Sequence, residues 1–375
     1  MDEATDALLR LVLAGGGVAA RRALLETHGG AVAALAAGTC AWRAAGLGAE
    51  QVAALRTPDA AALARGRAWL QAAGHHLIGW TDPDYPPLLR RGANPPVALF
   101  VAGEPARLWH PQLAVVGSRA ASAGGLDNAR AFAAALAAAG FGIASGMAAG
   151  IDTAAHEATL AAGGLTIAVL GTGPDVPYPR ANRALHARIA DSGAVVSEYP
   201  PGTRALKEYF PNRNRILAGL SLGTLVVEAA LRSGALITAR QAADAGREVF
   251  AVPGSIHNPV ARGCHRLLRE GAALVEDAGE VIAALAPLAG ELGAALRARL
   301  AGAPAPPVAT GSAAVADPVD PDHQRLWRAL GHDPTGMDQL AERTGLTPAE
   351  LSSMLLLMEL EGRVVHAHGR YSRKR

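Results

Sequence analysis

Cationic side chains follow several apolar runs in the middle of the chain. Arg119 lies in a Gly-Ser-Arg turn after the run Leu113–Val116, and Arg180 follows a Tyr-Pro dipeptide. Three more cations share the segment between two later apolar runs, namely Lys207, Arg213 and Arg215. Guanidinium and ammonium groups donate charge-assisted hydrogen bonds to phosphate oxygens, so these residues first suggest an anionic ligand.

The segment Leu113–His156 contains the elements that would position the first of these cations. It consists of an apolar run, the Gly-Ser-Arg turn, an amphipathic helix, a second apolar run and a Gly-rich turn that begins at Ser145. This order is typical of a βαβ unit, in which both loops lie at the carboxyl ends of parallel strands. Ligands of open parallel sheets bind at that edge, toward which helix N-termini also point. We therefore expect Ser145 to face Arg119 across a crevice, and the cations of the later loops to project toward the same edge.

The same alternation continues over residues 80–290 and predicts a doubly wound, Rossmann-like parallel sheet of the α/β class. Short apolar runs followed by turn residues mark the strands. The run Val97–Val101 follows a Pro-rich connector and is expected to be an edge strand. The remaining strands are predicted at Thr166–Leu170, Ala194–Val196, Leu225–Val227, Val249–Val252 and Ala272–Val275.

Three further segments flank the sheet. Residues 1–79 contain short helical stretches broken by glycines, which predicts a small helical, SAM-like domain. Residues 291–321 are rich in Pro and Ala and are interpreted as a linker. Residues 322–375 have the order helix, turn, helix and hairpin, with Thr347 and Glu350 as a capping box, so we expect a C-terminal winged helix.

Charge and composition limit the class of protein. The 375 residues carry a net charge of only +2, so any contact with nucleic acid must come from a local patch. Two cysteines supply neither a disulfide framework nor a cysteine metal cluster. The acidic N-terminus is unlike a signal peptide, and no apolar run approaches the roughly 18 residues of a membrane span. These features predict a cytoplasmic protein without a membrane span.

The motifs argue against a mononucleotide or dinucleotide site. The pattern GxxxxGK[ST] is absent, and the first loop, Gly117–Ser122, does not supply GxGxxG. Dispersed cations fit a polymer backbone better than one pyrophosphate, because successive phosphates need successive contacts. Tyr178, Tyr199, Tyr209 and Phe210 share these loops and could stack on unpaired bases. No constellation for covalent or metal catalysis emerges, so we expect no catalytic residue, no metal and no cofactor.

Several longer motifs resemble one bacterial family. These are GSR at Gly117, SGMAAGID from Ser145, SEYPPG from Ser197, FPNRNRILAGLS from Phe210 and FAVPGS from Phe250. Together they resemble DprA, also called Smf, the DNA-processing protein A. The resemblance implies a protein without catalytic turnover that binds single-stranded DNA. It also implies protection of incoming DNA, loading of the recombinase RecA during natural transformation, and a homodimer formed through the Rossmann-like domain.

The resemblance also assigns the DNA-binding residues. They are Gly117, Ser118, Arg119, Ser145, Gly146, Met147, Arg180, Asn182, Lys207, Phe210, Arg213, Asn214 and Arg215.

Two other functions remain open at this point. The sequence Gly223–Glu228 resembles the GTxxE core of the lysine-decarboxylase-like phosphoribohydrolases, enzymes that act on nucleoside monophosphates. The Pro-Gly-Gly expected before that core is replaced here by Gly219–Leu222, so the phosphate cradle is missing. Alternatively, residues 322–375 could recognise a duplex sequence, since their last residues include Arg370, Arg373, Lys374 and Arg375.

Overall fold

A computed structural model describes residues 1–92 and 94–301 together with parts of the C-terminal region. In that region it describes residues 325–327, 329–330, 335–347, 351, 354–355, 358, 364–367 and 370–373. The chain divides into two compact units, Met1–Pro304 and Ala305–Arg375. Residues 302–321 of the predicted linker lie outside the described residues.

The first unit begins with helices that pack around their own apolar core. Leu9, Leu11, Leu24 and Leu25 are buried there, together with Trp42. The first helix is capped by the side chain of Asp2, which accepts a hydrogen bond from the amide of Thr5 at 2.8 Å. The helices are α1 (Glu3–Leu13), α2 (Val18–His28), α3 (Ala31–Ala36), α4 (Gly38–Ala44), α5 (Ala49–Arg56) and α6 (Ala60–Leu70).

A nine-stranded sheet follows, in the order β1-β2-β6-β5-β4-β3-β7-β8-β9. The seven strands from β6 to β9 in this order are mutually parallel, whereas β2 pairs antiparallel with both β1 and β6. The strands are β1 (His75–Gly79), β2 (Ala98–Gly103), β3 (Gln112–Val116), β4 (Gly142–Ser145), β5 (Thr166–Leu170), β6 (Ala194–Ser197), β7 (Gly223–Val226), β8 (Glu248–Ala251) and β9 (Ala273–Leu274).

The sheet confirms the doubly wound, mostly parallel fold predicted from the apolar runs. The expectation that Val97–Val101 forms an edge strand is wrong, because β1 lies outside β2 and places His75 opposite Ala102. The polar start of β1 hid this strand in the sequence. In the structure the His75 ring at the start of β1 stacks on Trp69, with ring centroids 4.0 Å apart.

Helices cover both faces of the sheet, and the alternation of β3 shows the two cores. Ala114 and Val116 contribute to one core, while Leu113 and Val115 contribute to the other. Two short 3₁₀ helices span Pro105–Trp109 and Arg180–Asn182. The α-helices are α7 (Pro87–Arg90), α8 (Ala123–Ala138), α9 (Ile151–Ala161), α10 (Arg183–Ser192), α11 (Tyr209–Leu220), α12 (Gly234–Asp244), α13 (Arg262–Arg269) and α14 (Ala278–Ala301).

Helix α14 continues to Ala301 and takes in the first part of the segment predicted as linker. Its residues Ala278–Arg299 are, by length and composition alone, apolar enough to cross a membrane. The search of the sequence for long uninterrupted apolar runs did not predict a membrane span at this helix. Such a segment is weak evidence for a span, and Leu285 and Leu292 on this helix are buried in the core beside α8.

The second unit contains the described parts of a winged helix. Strands β10 (Thr335–Gly336), β11 (Val364–Ala367) and β12 (Arg370–Arg373) form a small antiparallel sheet in the order β10-β12-β11. Helix α15 (Met337–Thr344) follows β10 directly. Leu326, Leu340, Leu355 and Val364 are buried in a common core. The predicted capping box at Thr347 and Glu350 includes residues that lie outside the described part of the chain.

Candidate functional site

A cleft of about 890 Å³ lies at the carboxyl ends of β3, β4 and β7. The chain runs from β3 toward β6 on one side of the sheet, and then returns to form β7 on the other side of β3. The cleft therefore occupies the topological switch point, where doubly wound sheets bind their ligands. Its polar and aromatic lining residues are Ser118, Arg119, Asp152, Tyr178, Lys207, Phe210, Arg213, Asn214, Arg232, Ser233 and Thr238.

The loop that carries Arg119 is fixed at both ends. At Gly117 a Cβ atom would lie 2.5 Å from Ile151 and 2.9 Å from the carbonyl oxygen of Glu228, so only glycine fits. At the other end, Ser122 caps α8. The carboxylate of Glu228 accepts hydrogen bonds from the Ser122 amide at 2.9 Å and from its hydroxyl at 2.5 Å. Glu228 is 7 % exposed and thus holds the loop from behind the cleft.

Two exposed cations and two aromatic rings line the cleft. The guanidinium carbon of Arg119 lies 5.6 Å from the centroid of the Phe210 ring, and Lys207 is exposed nearby in the lining. Phe210 packs against Tyr178 with centroids 5.3 Å apart, and Tyr178 is 44 % exposed. Neither Arg119 nor Lys207 forms an ion pair with any residue in the described part of the chain. Both can therefore meet an external anion.

Arg213 lines the cleft but is buried, at 5 % exposure. Its Nη1 donates a hydrogen bond to the carbonyl oxygen of Val169 at 2.6 Å. Burial lowers the pKa of Arg213 to about 10, so it stays charged at neutral pH. Burial also raises the pKa of Asp152, and the nearby Arg213 charge opposes that rise. The two residues form a buried charge cluster beneath the cleft.

This buried cluster shapes the loop that follows β4. The carboxylate of Asp152 accepts hydrogen bonds from the amides of Gly146 at 3.0 Å and Ala148 at 3.3 Å. A Cβ atom at Gly146 would overlap the guanidinium of Arg213, which explains the glycine. The geometry gives Arg213 and Gly146 a positioning role in this loop.

Three other residues of the predicted site also hold this loop. The hydroxyl of Ser145 is buried and donates to the carbonyl oxygen of Val115 at 2.6 Å, so the expectation that it faces Arg119 across the crevice is wrong. Met147 is buried with a φ of 62°. The side-chain amide of Asn182 donates to the Met147 carbonyl at 2.9 Å and to Thr153 Oγ1 at 2.8 Å. The polar groups of these residues are engaged inside the protein.

Three of the five cations that were expected at one edge of the sheet line the cleft, namely Arg119, Lys207 and Arg213. Arg180 is exposed but does not line the cleft. Arg215 lies two residues after Arg213 on α11, which turns it by about 200° around the helix. It forms an ion pair with Glu198 at 2.5 Å and lines a second cavity of about 500 Å³. DNA contacts by Arg180 and Arg215 stay predictions.

The cleft also contains a cation that the sequence reading missed. Arg232 is exposed and lies just before α12, whose cap residue Ser233 also lines the cleft. Asn214 ties α11 to the same helix, since its side-chain amide donates to the Gly234 carbonyl at 3.3 Å. Arg232 could have been selected from the sequence by its position in the loop after β7, because this loop lies beside the switch point.

His156 and Glu228 are both engaged in hydrogen bonds outside the cleft lining. His156 is fully buried and its Nδ1 donates to Thr166 Oγ1 at 2.6 Å, while Thr166 Oγ1 donates to a backbone carbonyl. Burial lowers the pKa of His156 to about 3, so the ring is neutral at physiological pH. The carboxylate of Glu228, in the sequence resembling the phosphoribohydrolase core, accepts hydrogen bonds from Ser122 and Asn258 and does not line the cleft.

Four cationic residues and one carboxylate line this cleft, next to two aromatic rings. Fold and site thus define a Rossmann-like α/β protein with a cation-lined cleft at its switch point. The family model of DNA recombination-mediator protein A matches residues 76–286, and the DprA winged helix domain matches residues 304–370. The chain belongs to the DNA recombination-mediator protein A family, that of the DprA and Smf proteins.

Individual relatives agree with this assignment. Protein Smf of Escherichia coli is 42% identical over 308 residues, which cover 82% of this chain and 79% of that protein. The X-ray structure of DNA processing protein A from Streptococcus pneumoniae superposes with a TM-score of 0.68 at 39% identity, over 76% of this chain and 98% of that one. DNA processing protein A from Helicobacter pylori, for which a single-stranded DNA binding mode is described, has a TM-score of 0.50 at 28% identity. That match covers 54% of this chain and 93% of the Helicobacter chain.

Proposed function

We propose that this protein binds single-stranded DNA in the cleft at the switch point and does so without catalytic turnover. The observation that carries the proposal is that Arg119 and Lys207, two exposed cations, line the cleft together with the half-buried Phe210 and the exposed Tyr178. Cations track the phosphates of a single strand, while aromatic rings stack on its unpaired bases. Duplex DNA keeps its bases stacked inside and gains nothing from the rings.

The broader role follows the family. We propose that the protein is a cytoplasmic recombination mediator that protects incoming DNA and loads RecA during natural transformation. It does so as a homodimer formed through the Rossmann-like domain. Membership of a family of DNA-processing proteins and the single-strand binding described for the Helicobacter protein support this role.

Fluorescence anisotropy with labelled single-stranded and duplex oligonucleotides of equal length tests the binding. We expect tighter binding to the single strand, and weaker binding by the variants Arg119→Ala and Lys207→Ala. Arg130→Ala is the matched control, because Arg130 is exposed on α8 and pairs with Asp127 away from the cleft. Equal affinity for both forms of DNA, or no change in either cleft variant, would contradict the proposal.

Two further experiments separate the alternatives. Deleting residues 303–375 should leave single-strand binding intact, whereas loss of binding would place the main site in the winged helix. Incubating the full chain with nucleoside monophosphates should release no free base, because Glu228 is held by Ser122 and Asn258. Release of free base would favour the phosphoribohydrolase hypothesis.

The recombinase step has its own test. In an assay of RecA filament assembly on single-stranded DNA, the protein should shorten the lag before filaments grow, and Lys207→Ala should lengthen that lag again. An unchanged lag with saturating wild-type protein would remove RecA loading from the proposed function.

A further inference from the structure

Helix α11 separates the cleft from the second cavity. Tyr209, Asn212 and Arg215 recur every three residues, so they share one face of α11, and they line the second cavity. Phe210 and Arg213 lie on another face of the helix and line the cleft. One face of α11 therefore lines the cleft, and another face lines the second cavity.

The second cavity repeats the aromatic feature of the cleft. Tyr199 and Tyr209 stack with ring centroids 4.1 Å apart and an interplanar angle of 21°. Both rings line the cavity, and neither is fully buried. Each cavity therefore has an aromatic pair in its wall, and the residues that supply them from α11, Tyr209 and Phe210, are consecutive in sequence.

One short segment connects the two cavities. Pro200 and Thr203 line the second cavity, whereas Ala205 and Lys207 line the cleft. Arg204 lies between them and is exposed. A strand that crosses this segment would pass from one aromatic pair to the other.

The N-terminal helices add a cation to this path. Arg65 on α6 is exposed, and its Nε lies 3.2 Å from the position that a Cβ atom would take at Gly202. It therefore lies against the segment that connects the cavities. Along this segment Lys207 comes nearest the cleft, Arg204 follows, and Arg65 lies against Gly202, so three cations are spaced along it as contacts to successive phosphates require.

Hydrogen bonds hold the turn that the N-terminal helices contribute to the cavity wall. This turn, Gly15–Gly17, lines the cavity between α1 and α2. Arg21 donates hydrogen bonds to the carbonyl oxygens of Leu11, Val12 and Gly16 at 3.2, 3.1 and 2.9 Å. The side-chain amide of Gln51 donates to the carbonyl of Gly15 at 2.6 Å. These bonds hold this part of the cavity wall in place.

We propose that the second cavity is a further subsite for single-stranded DNA, in which an unpaired nucleobase stacks on Tyr199 and Tyr209 while Arg65 and Arg204 contact the flanking phosphates. The N-terminal helices then complete the binding surface and lengthen the stretch of DNA that one molecule covers. The subsite rests on the proposed function, because it continues the strand bound in the cleft.

Binding of oligodeoxythymidylates of increasing length, from about 4 to about 16 nucleotides, tests the subsite. A short strand fills only the cleft, whereas a long one reaches the second cavity. The variants Tyr199→Ala and Arg65→Ala should bind short strands as the wild type does. Both should bind long strands more weakly, and for Tyr199→Ala the loss of one stacked base should cost roughly 5- to 150-fold. Arg67→Ala is the matched control, since Arg67 is also exposed on α6 but pairs with Asp6.

The outcomes distinguish this proposal from the function on which it rests. If Lys207→Ala weakens binding at every length while Tyr199→Ala and Arg65→Ala change nothing, the subsite is overturned and binding in the cleft stands. If Tyr199→Ala and Arg65→Ala weaken the binding of short and long strands by the same factor, the subsite is also overturned. If Lys207→Ala has no effect at any length, binding in the cleft fails and the subsite fails with it.

A measurement on the unmodified chain avoids any effect of substitutions on folding. A long single strand that carries 5-iododeoxyuridine at successive positions is irradiated in the complex, and the crosslinked peptides are identified by mass spectrometry. Adducts at Tyr199 or Tyr209 from one end of the strand, together with adducts at Tyr178 or Phe210 from its middle, are expected. Adducts at Tyr178 or Phe210 alone would overturn the proposal.

Discussion

Glu228 offers the sharpest test of how the cleft is held together, because it supports the Arg119 loop without lining the cleft. Its carboxylate accepts three hydrogen bonds, from the Ser122 amide at 2.9 Å, the Ser122 hydroxyl at 2.5 Å and the Asn258 side-chain amide at 3.2 Å. Replacement by Ala removes all three acceptor contacts and leaves partly buried donors without partners. Replacement by Gln keeps one acceptor oxygen and places an N–H group against a donor.

The magnitude follows from those contacts. Hydrogen bonds to a charged group contribute about 1.5–3 kcal/mol each, and their effects overlap when they share one carboxylate. We expect Glu228→Ala to lower the free energy of unfolding by about 3–5 kcal/mol and Glu228→Gln to lower it by about 1–3 kcal/mol. Because the Arg119 loop loosens in both, single-strand affinity should fall by roughly tenfold in Glu228→Gln at a temperature where the variant is folded.

Urea unfolding and anisotropy on the same preparations measure both quantities. Glu248→Gln is the matched control, because Glu248 is exposed on β8 and should change neither. The salt dependence of binding should also be unchanged in Glu228→Gln, since no phosphate contact is removed. If Glu228→Gln unfolds like the wild type and binds DNA with wild-type affinity, the supporting role of this carboxylate is refuted.

Three other predictions follow from the site. Gly146→Ala places a methyl group against the buried guanidinium of Arg213, so its thermal midpoint should drop. Gly124→Ala on α8, where a Cβ atom would meet only the hydroxyl oxygen of Ser122 at 4.0 Å, should unfold like the wild type. Phe210→Ala should weaken single-strand binding by about 1–3 kcal/mol, and an unchanged affinity would exclude base stacking there. Burial lowers the pKa of His156 to about 3 in the folded state, whereas a histidine in the unfolded chain has a pKa of about 6.5. Between these two pH values the unfolded state binds a proton at His156 and the folded state does not. The free energy of unfolding should therefore fall between pH 6.5 and 3 by up to about 1.4 kcal/mol per unit, and urea titrations should find that part of the slope missing in His156→Gln.

The parallel part of the sheet could be predicted because its strands are short, fully apolar runs. Thr166–Leu170 was predicted at its observed bounds, and the loops after β3 and β4 were placed correctly at their carboxyl ends. The antiparallel strand β1 could not be recognised, because it begins with two histidines. Tertiary stacking of His75 on Trp69 makes this polar start compatible with a strand.

The sequence could not predict the direction in which individual side chains of the site point. Arg213 and Arg215 are two residues apart, and helix α11, which begins at Tyr209, turns them to different cavities. Ser145 has the residue type of a phosphate ligand, yet its hydroxyl is used by the neighbouring strand. Arg232 was overlooked because nothing in its local sequence distinguishes it from other exposed arginines until the switch point is known.

The salt dependence of single-strand binding tests the central claim most directly. A plot of log affinity against log salt concentration should have a negative slope, and each phosphate contact of a single strand contributes about 0.7 to its magnitude. Arg119, Lys207 and Arg232 are the exposed cations of the cleft, so we expect them alone to contribute a slope of about −2. Lys207→Ala should reduce the magnitude by about 0.7, and Arg130→Ala should leave it unchanged. A wild-type slope near zero, or equal slopes for Lys207→Ala and wild type, would contradict binding of the DNA backbone in this cleft.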